Sequence, residues 1–243
     1  MYSLLAMLYS EWAGFSAQAQ SQSEKHLRLN SSQVPPYSTP ERTGFEDRVA
    51  IEVYRRLGYR VTIVDAPAQR ALVNIDTSID DDSIARNPGM SKKFPNLVQF
   101  SENVLDREYV AFTKTVEFEP GGWASLAPYH VGIVIGWKIL ENNIREAKLL
   151  TRVGTGAQLF QMLDQGRVDV AVFNRWGGYQ LIKDLAIDGI RALEPALARR
   201  EVFFYVNAKH ADLAVKGSAA LRNMKADGTY AEIQAETLGK LLY

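Results

Sequence analysis

The sequence predicts an α/β protein of two lobes, each a mainly parallel sheet flanked by helices, with two strands crossing between them. Three observations carry this. Residues 27–64 read strand, proline-rich loop, helix, strand in under 40 residues, the unit that builds a parallel sheet. Residues 168–173 are almost wholly apolar, as in a strand buried on both faces. The same alternation recurs between about residues 115 and 200, after which two helices follow a final strand.

Taken in order, Leu27-Arg28-Leu29 alternates as a strand, and Val34-Pro35-Pro36-Tyr37 ends it with two prolines that cannot continue a ladder. Residues 46–57 place Val49, Val53 and Leu57 on one helical stripe, with Gly58 beyond the end. Residues 59–64 form the next strand. Residues 131–135 predict a buried strand followed by Gly136 and a helix through Ile144, and residues 148–153 another strand. Leu159, Phe160, Met162 and Leu163 repeat at helical spacing before Gly166, and the strand after them ends on Asn174. Residues 179–185 and 189–193 predict a helix and a short strand. Residues 202–206 are the last strand, and helices over 213–225 and 229–242 are separated by Asp227-Gly228, the second opened by a Thr229-x-x-Glu232 capping box.

The chain of 243 residues is long enough for two cores of roughly 100 to 120 residues each. With crossings expected near residues 109–115 and 199–204, the first lobe comprises residues 24–112 and 203–243 and the second residues 113–202. Residues 1–23 read as a leader and linker. Leu4, Leu5, Met7 and Leu8 are apolar and Ala17-Gln18-Ala19 resembles a cleavage site, although no basic residue precedes the run and Glu11 interrupts it. A secreted, periplasmic protein is the expectation. No stretch of 18 apolar residues spans a membrane.

Composition excludes several functions. Basic and acidic side chains balance at 28 each with no basic run, which gives nucleic acid no electrostatic hold. With no cysteine there is no thiol chemistry or disulfide. His26, His130 and His210 lack metal-ligand spacing, Gly154-Thr155-Gly156 is too short for a nucleotide fingerprint, and Asp80-Asp81-Asp82 reads as a solvated turn rather than a calcium loop. No cofactor is expected.

Four stretches together carry a family resemblance: Pro35-Pro36-Tyr37 with Gly44-Phe45-Glu46; Val131-Gly132-Ile133-Val134-Ile135-Gly136; residues 165–172, QGRVDVAV; and residues 224–230, MKADGTY. Over roughly residues 26–243 the chain resembles the extracellular solute-binding proteins of family 3, which serve polar amino acid uptake. The resemblance implies a two-lobed periplasmic-binding-protein-like fold that closes over a small solute, delivers it to a membrane permease or sensor, and performs no chemistry. It implies a carboxylate-binding Arg in a T-x-x-R pattern of the first lobe and an ammonium-binding Asp at the end of a second-lobe strand. Here residues 87–96 read NPGMSKKFPN without that Arg, Asn174 stands at the Asp position, and Trp137 follows Gly136 where a small hydroxyl residue is usual. An amide in place of a carboxylate removes a charge-assisted bond, so a plain α-amino acid is not the expected solute.

Candidate ligand-binding residues follow from strand ends, where such folds keep their sites. Arg86 closes a predicted strand and either faces the cleft or pairs with the preceding aspartates. Arg70 follows the turn at residues 66–69 and either points into the cleft or caps a helix. Tyr37 sits in the proline-fixed loop as an aromatic wall or as core, and Phe45 opens the helix nearby, where Glu46 reads as a helix N-terminal charge. Asn174 and Arg175 occupy the second-lobe strand end. Trp137 and Trp176 stack on a ligand or serve as scaffold. Lys92 and Lys93 are displaced candidates for an anion, against the bland reading of solvated lysines. The expected protein is thus a monomeric solute-binding protein for a small polar or anionic solute, with a membrane permease or sensor as partner and no nucleic acid. A sensing module for a receptor is the alternative, and a dehydratase-type enzyme on the same scaffold a further one.

Overall fold

A computed structural model describes residues 25–32 and 34–242; the leader read at residues 1–23 lies outside them. Strands β1 (Lys25–Ser31), β2 (Tyr59–Asp65), β3 (Asp82–Arg86) and β4 (Leu97–Gln99) build one sheet, and β6 (His130–Val134), β7 (Leu149–Val153), β8 (Val170–Asn174) and β9 (Arg191–Ala192) another. Two long strands, β5 (Leu105–Thr113) and β10 (Ala198–Asn207), join them. Residues 198–202 of β10 pair with 105–109 of β5. Beyond that segment β10 adds to β3 and β4, and β5 adds to β8 and β9. The path is β2-β1-β3-β10-β5-β8-β6-β7, with β4 and β9 off it. β1 runs parallel to β2 and β3, and β6 parallel to β7 and β8, whereas the crossing strands run antiparallel to their neighbours.

Helices fill the faces. α1 (Phe45–Arg56) buries Phe45, Val49, Ala50, Val53 and Tyr54 against β1 and the core of Leu29, Phe100 and Phe204. α2 (Ala68–Asp76) buries Ala71 and Ile75. α6 (Ala211–Asp227) and α7 (Thr229–Thr237) pack on α1, so the chain beyond β10 returns to the first sheet. On the second sheet α3 (Lys138–Asn143), α4 (Gly156–Asp164) and α5 (Arg175–Asp184) cover both faces. Along β8, Ala171 and Phe173 point into one core with Phe112 and Phe160, and Val170 and Val172 into the other with Ile133 and Leu140. A strand clothed on both faces needs no polar alternation, which is why residues 168–173 carry none.

Several local expectations are corrected. The helix predicted at residues 179–185 starts at Arg175, because the Asn174 side chain accepts from the Gly177 amide and caps it four residues earlier. The last helix stops at Thr237, followed by a single 3-10 turn. Its capping box does not form. The Thr229 hydroxyl accepts from Arg56 Nη2 (2.8 Å), and the Thr229 amide donates to Asp227 Oδ1 (3.0 Å). Asp80-Asp81-Asp82 is no solvated turn: Asp80 is buried and accepts from Arg28, Asn30 and Asn74, Asp81 is held by the Arg28 amide, Lys209 and His210, and Asp82 is buried against the Tyr54 hydroxyl.

Candidate functional site between the lobes

The first wall of the site is the loop between β1 and α1. Its carbonyls at Pro36 and Tyr37 accept the first free amides of α1, from Phe45 (3.2 Å) and Glu46 (2.7 Å). Ser38 Oγ and the Thr39 amide donate to Asp47 on the same helix (2.6 and 2.9 Å). A Cβ at Gly44 would stand 2.4 Å from the Tyr37 carbonyl oxygen, so this close approach requires glycine. The loop is thereby fixed, and Tyr37 is carried to the lobe boundary. There its hydroxyl donates to Asn174 Oδ1 at the tip of β8 (2.9 Å), with both residues buried. Burial pushes the Tyr37 phenol well above its ordinary range, so it stays a donor.

The second wall comes from the crossing strand. Arg107 on β5 lays its guanidinium over the Tyr37 ring, 4.6 Å from the centroid, and donates from Nη2 to Glu46 Oε1 (2.5 Å). Its Nε is buried with no partner. Arg86, the last residue of β3, donates from Nε to Ser83 Oγ (2.7 Å) and from Nη1 to Ser32 Oγ (2.6 Å), while its buried Nη2 has no partner. Burial, together with the like charge of Arg107, pulls Arg86 down to about 10, still cationic at neutral pH; Glu46 opposes the shift. Burial pushes the Glu46 carboxyl up and Arg107 pulls it back. Buried N–H groups in folded proteins are nearly always bonded, so two neighbouring guanidiniums that both line a first-lobe cavity and each keep an unpartnered nitrogen have donor capacity that the protein leaves unused; Arg42 Nη1, also unpartnered, lines neither that cavity nor the interlobe cleft.

Two cavities share this corner. One, about 540 Å³, lies in the first lobe between the ends of β1 and β3, α2, and the turn at Met90–Lys92. Ser38, Glu46, Gln69, Leu72, Arg86, Met90, Lys93, Phe94 and Arg107 are among its lining residues. The other, about 600 Å³, is the interlobe cleft, lined by Tyr37, Pro88 and Arg107 from one side, Trp137, Lys138, Ile139 and Asn174 from the other, and Tyr109 and Arg200 of the crossing strands. Val34, Asn87 and Arg107 belong to both. Trp137 is braced from behind, stacked on Phe173 (4.5 Å, 27°) and edge-on to Tyr109.

The structure therefore brings together Tyr37, Arg86, Trp137 and Asn174, with Lys93 at the rim. The remaining candidates lie elsewhere. Arg70 sits within α2 rather than before it, exposed and outside the lining. Phe45 is fully buried and edge-on to Tyr230 in the first-lobe core. Arg175 is consumed by Glu108 and Glu194; burial opposes its charge, yet these two carboxylates hold it firmly protonated. Trp176 packs against the first-lobe core and lines a small pocket with Phe45 and Tyr230. Lys92 does not line either cavity. Arg86 pairs with serines, not with the preceding aspartates. Arg107 was absent from the candidates; an arginine at the head of the apolar run 109–112, where the chain leaves the first lobe, is the signal that points to it. Glu46 is less a helix charge than Arg107's counter-ion. Among the described residues no group of three or more metal-ligating side chains gathers.

No family model matches the sequence. A curated uncharacterized protein from Shewanella oneidensis is 24% identical over 187 residues, 72% of this chain and 69% of its own. Among solved structures, a mutant of ArgBP from T. maritima superposes with a TM-score of 0.64 at 22% identity, covering 89% of this chain and 96% of that one. The probable amino-acid ABC transporter extracellular-binding protein ytmK from Bacillus subtilis gives 0.72 at 16%, covering 88% and 98%. A histidine kinase sensor domain with similarity to periplasmic binding proteins gives 0.65 at 15%, covering 88% and 96%. At these identities the likeness establishes the two-lobed fold. The neighbours include amino-acid transporter binding proteins, in keeping with the family that the sequence resembles as a divergent relative.

Proposed function

We propose that this chain is a solute-binding protein of the periplasm that captures a small polar or anionic solute between its lobes and presents it to a membrane transporter. The single observation that carries this is the pair of unpartnered guanidinium nitrogens, on Arg86 and Arg107, at the junction of a first-lobe cavity and an interlobe cleft. Residues 24–112 with 203–243 form one lobe in this reading and residues 113–202 the other, with residues 1–23 as the exported leader. Arg86 and Arg107 contact the solute at the junction of the two cavities, and Tyr37, Trp137 and Asn174 wall the cleft that opens beside it. Capture without chemistry fits a site whose one carboxylate among the described lining residues, Glu46, is already tied to Arg107. Neighbouring binding proteins support the transport role, and the sensor-domain neighbour favours, as a second reading, a module that reports the solute to a receptor.

Thermal denaturation across a panel of anions, amino acids, sugars and polyamines tests the reading. One solute class is expected to raise Tm saturably, by linkage, and to leave other classes without effect. Turnover of any panel member, with no stabilisation by the rest, overturns it.

A further inference from the structure

We infer that the solute is a small organic anion bearing a carboxylate and no ammonium group, its carboxylate seated between Arg86 and Arg107 and its apolar body against Leu72, Met90 and Phe94. This deepens the solute-binding reading and rests on it. The argument is one of charge balance at a buried site. Arg86, Arg107 and Glu46 together carry one net positive charge, and Arg86 Nη2 and Arg107 Nε, both enclosed, find no acceptor among the protein's own groups. One anion brings the cluster to neutrality and offers two acceptor oxygens to a pair of guanidiniums that their own neighbours do not saturate and that must turn to meet it. A zwitterion offers the same oxygens, but its ammonium leaves one positive charge uncompensated where charges are costly.

The rest of the lining gives an ammonium no better place. Besides Glu46, no carboxylate lines either cavity among the described residues, whereas Lys93 and Arg200 add two more cations at the exposed rim, where Lys138 is paired with Glu141. Glu46 has already given one oxygen to Arg107 at 2.5 Å. Asn174 cannot replace a carboxylate, since its Oδ1 accepts from both the Tyr37 hydroxyl and the Gly177 amide. The first-lobe cavity also presents Leu72, Met90 and Phe94, which suit carbon rather than charge.

The test uses the intact protein and matched pairs of a singly charged anion and its zwitterionic counterpart: pyruvate and alanine, butyrate and 2-aminobutyrate, 4-methylpentanoate and leucine, 3-phenylpropionate and phenylalanine. Calorimetric titration is expected to show at least one amine-free anion binding about tenfold or more tightly than its partner, the least that an uncompensated buried charge should cost. In the same titration R86Q is expected to lose that binding by about tenfold with its circular dichroism and Tm retained, and R86K to recover part of it. An amino acid that binds as tightly as its amine-free partner overturns the inference and leaves the solute-binding function standing. So does a neutral sugar or a polyamine that binds while every carboxylate fails. If no solute of any class binds, the inference and the solute-binding function fall together.

Discussion

At the residue scale, burial decides what each charged group does. Asp82 is wholly enclosed, and burial pushes its carboxyl from 3.8 up to about 8; Asp81 adds to the shift and the Tyr54 hydroxyl resists it. An acid that holds its proton more tightly folded than unfolded makes the folded state lose ground as pH rises. The loss begins near 3.8 and is complete above about 8, and Glu46 and Asp47 shift the same way. Asp82→Asn keeps an acceptor for Tyr54 and removes the titration. In urea denaturation the variant should match the parent near pH 5 and exceed it near pH 9 by on the order of 1–3 kcal/mol; a difference that does not move with pH would refute this assignment. Asn174 offers a second test. An aspartate there still caps α5 and accepts from Tyr37, but it faces a cleft lined by Arg107 and Arg200. Asn174→Asp should therefore leave Tm within a few degrees, and weaken an anionic solute about tenfold by compensating those cations internally.

At the element scale, the site depends on how one loop is tied to one helix. The Pro36 and Tyr37 carbonyls cap α1, Asp47 holds the loop from below, and Gly44 permits contact. Gly44→Ala must push the helix N-terminus and the Tyr37 backbone apart. It should cost about 1–3 kcal/mol in denaturant melts and misplace the Tyr37 hydroxyl, so that solute affinity falls with stability; unchanged affinity would mean that Tyr37 is not part of the site. Much at this scale was legible. The apolar stripe of α1, the unalternating strand before Asn174 and the stops at Gly58 and Gly166 are local signals, and the elements formed within a few residues of their expected places. What failed did so where a distant partner intervened: Arg56 takes the Thr229 hydroxyl that the capping box needed, and Arg28, Asn30 and Asn74 enclose Asp80.

At the scale of the whole molecule, two sheets with separate cores meet along the paired segments of β5 and β10 and through Tyr37, Asn174 and Trp176. Such a joint is small beside either core. Trp123 and Trp137 pack on the second-lobe cores and Trp176 on the first, so in a variant with Trp12 and Trp176 replaced by Phe tryptophan fluorescence probes the second lobe, whereas far-ultraviolet circular dichroism sees both. Without solute, the two probes should give separated thermal transitions; a saturating solute that bridges the lobes should raise both and make them coincide. Coincident curves in both states would show that the lobes unfold as one.

The sequence by itself determined the α/β class, the order of helices and strands, the proline loop and the strand tip at Asn174, because hydrophobic period, glycine stops and proline breaks act over a few residues of chain. Only the tertiary structure decided which of the candidate side chains have hydrogen bonds left to give. Arg86 and Arg107 lie 21 residues apart on different strands and Asn174 comes from the opposite lobe, while Arg175, beside it in the chain, is spent on Glu108 and Glu194. A guanidinium's availability is set by the partners that surround it in space, and apart from Ser83 those partners, Ser32, Glu46, Glu108 and Glu194, are brought by the packing of distant segments.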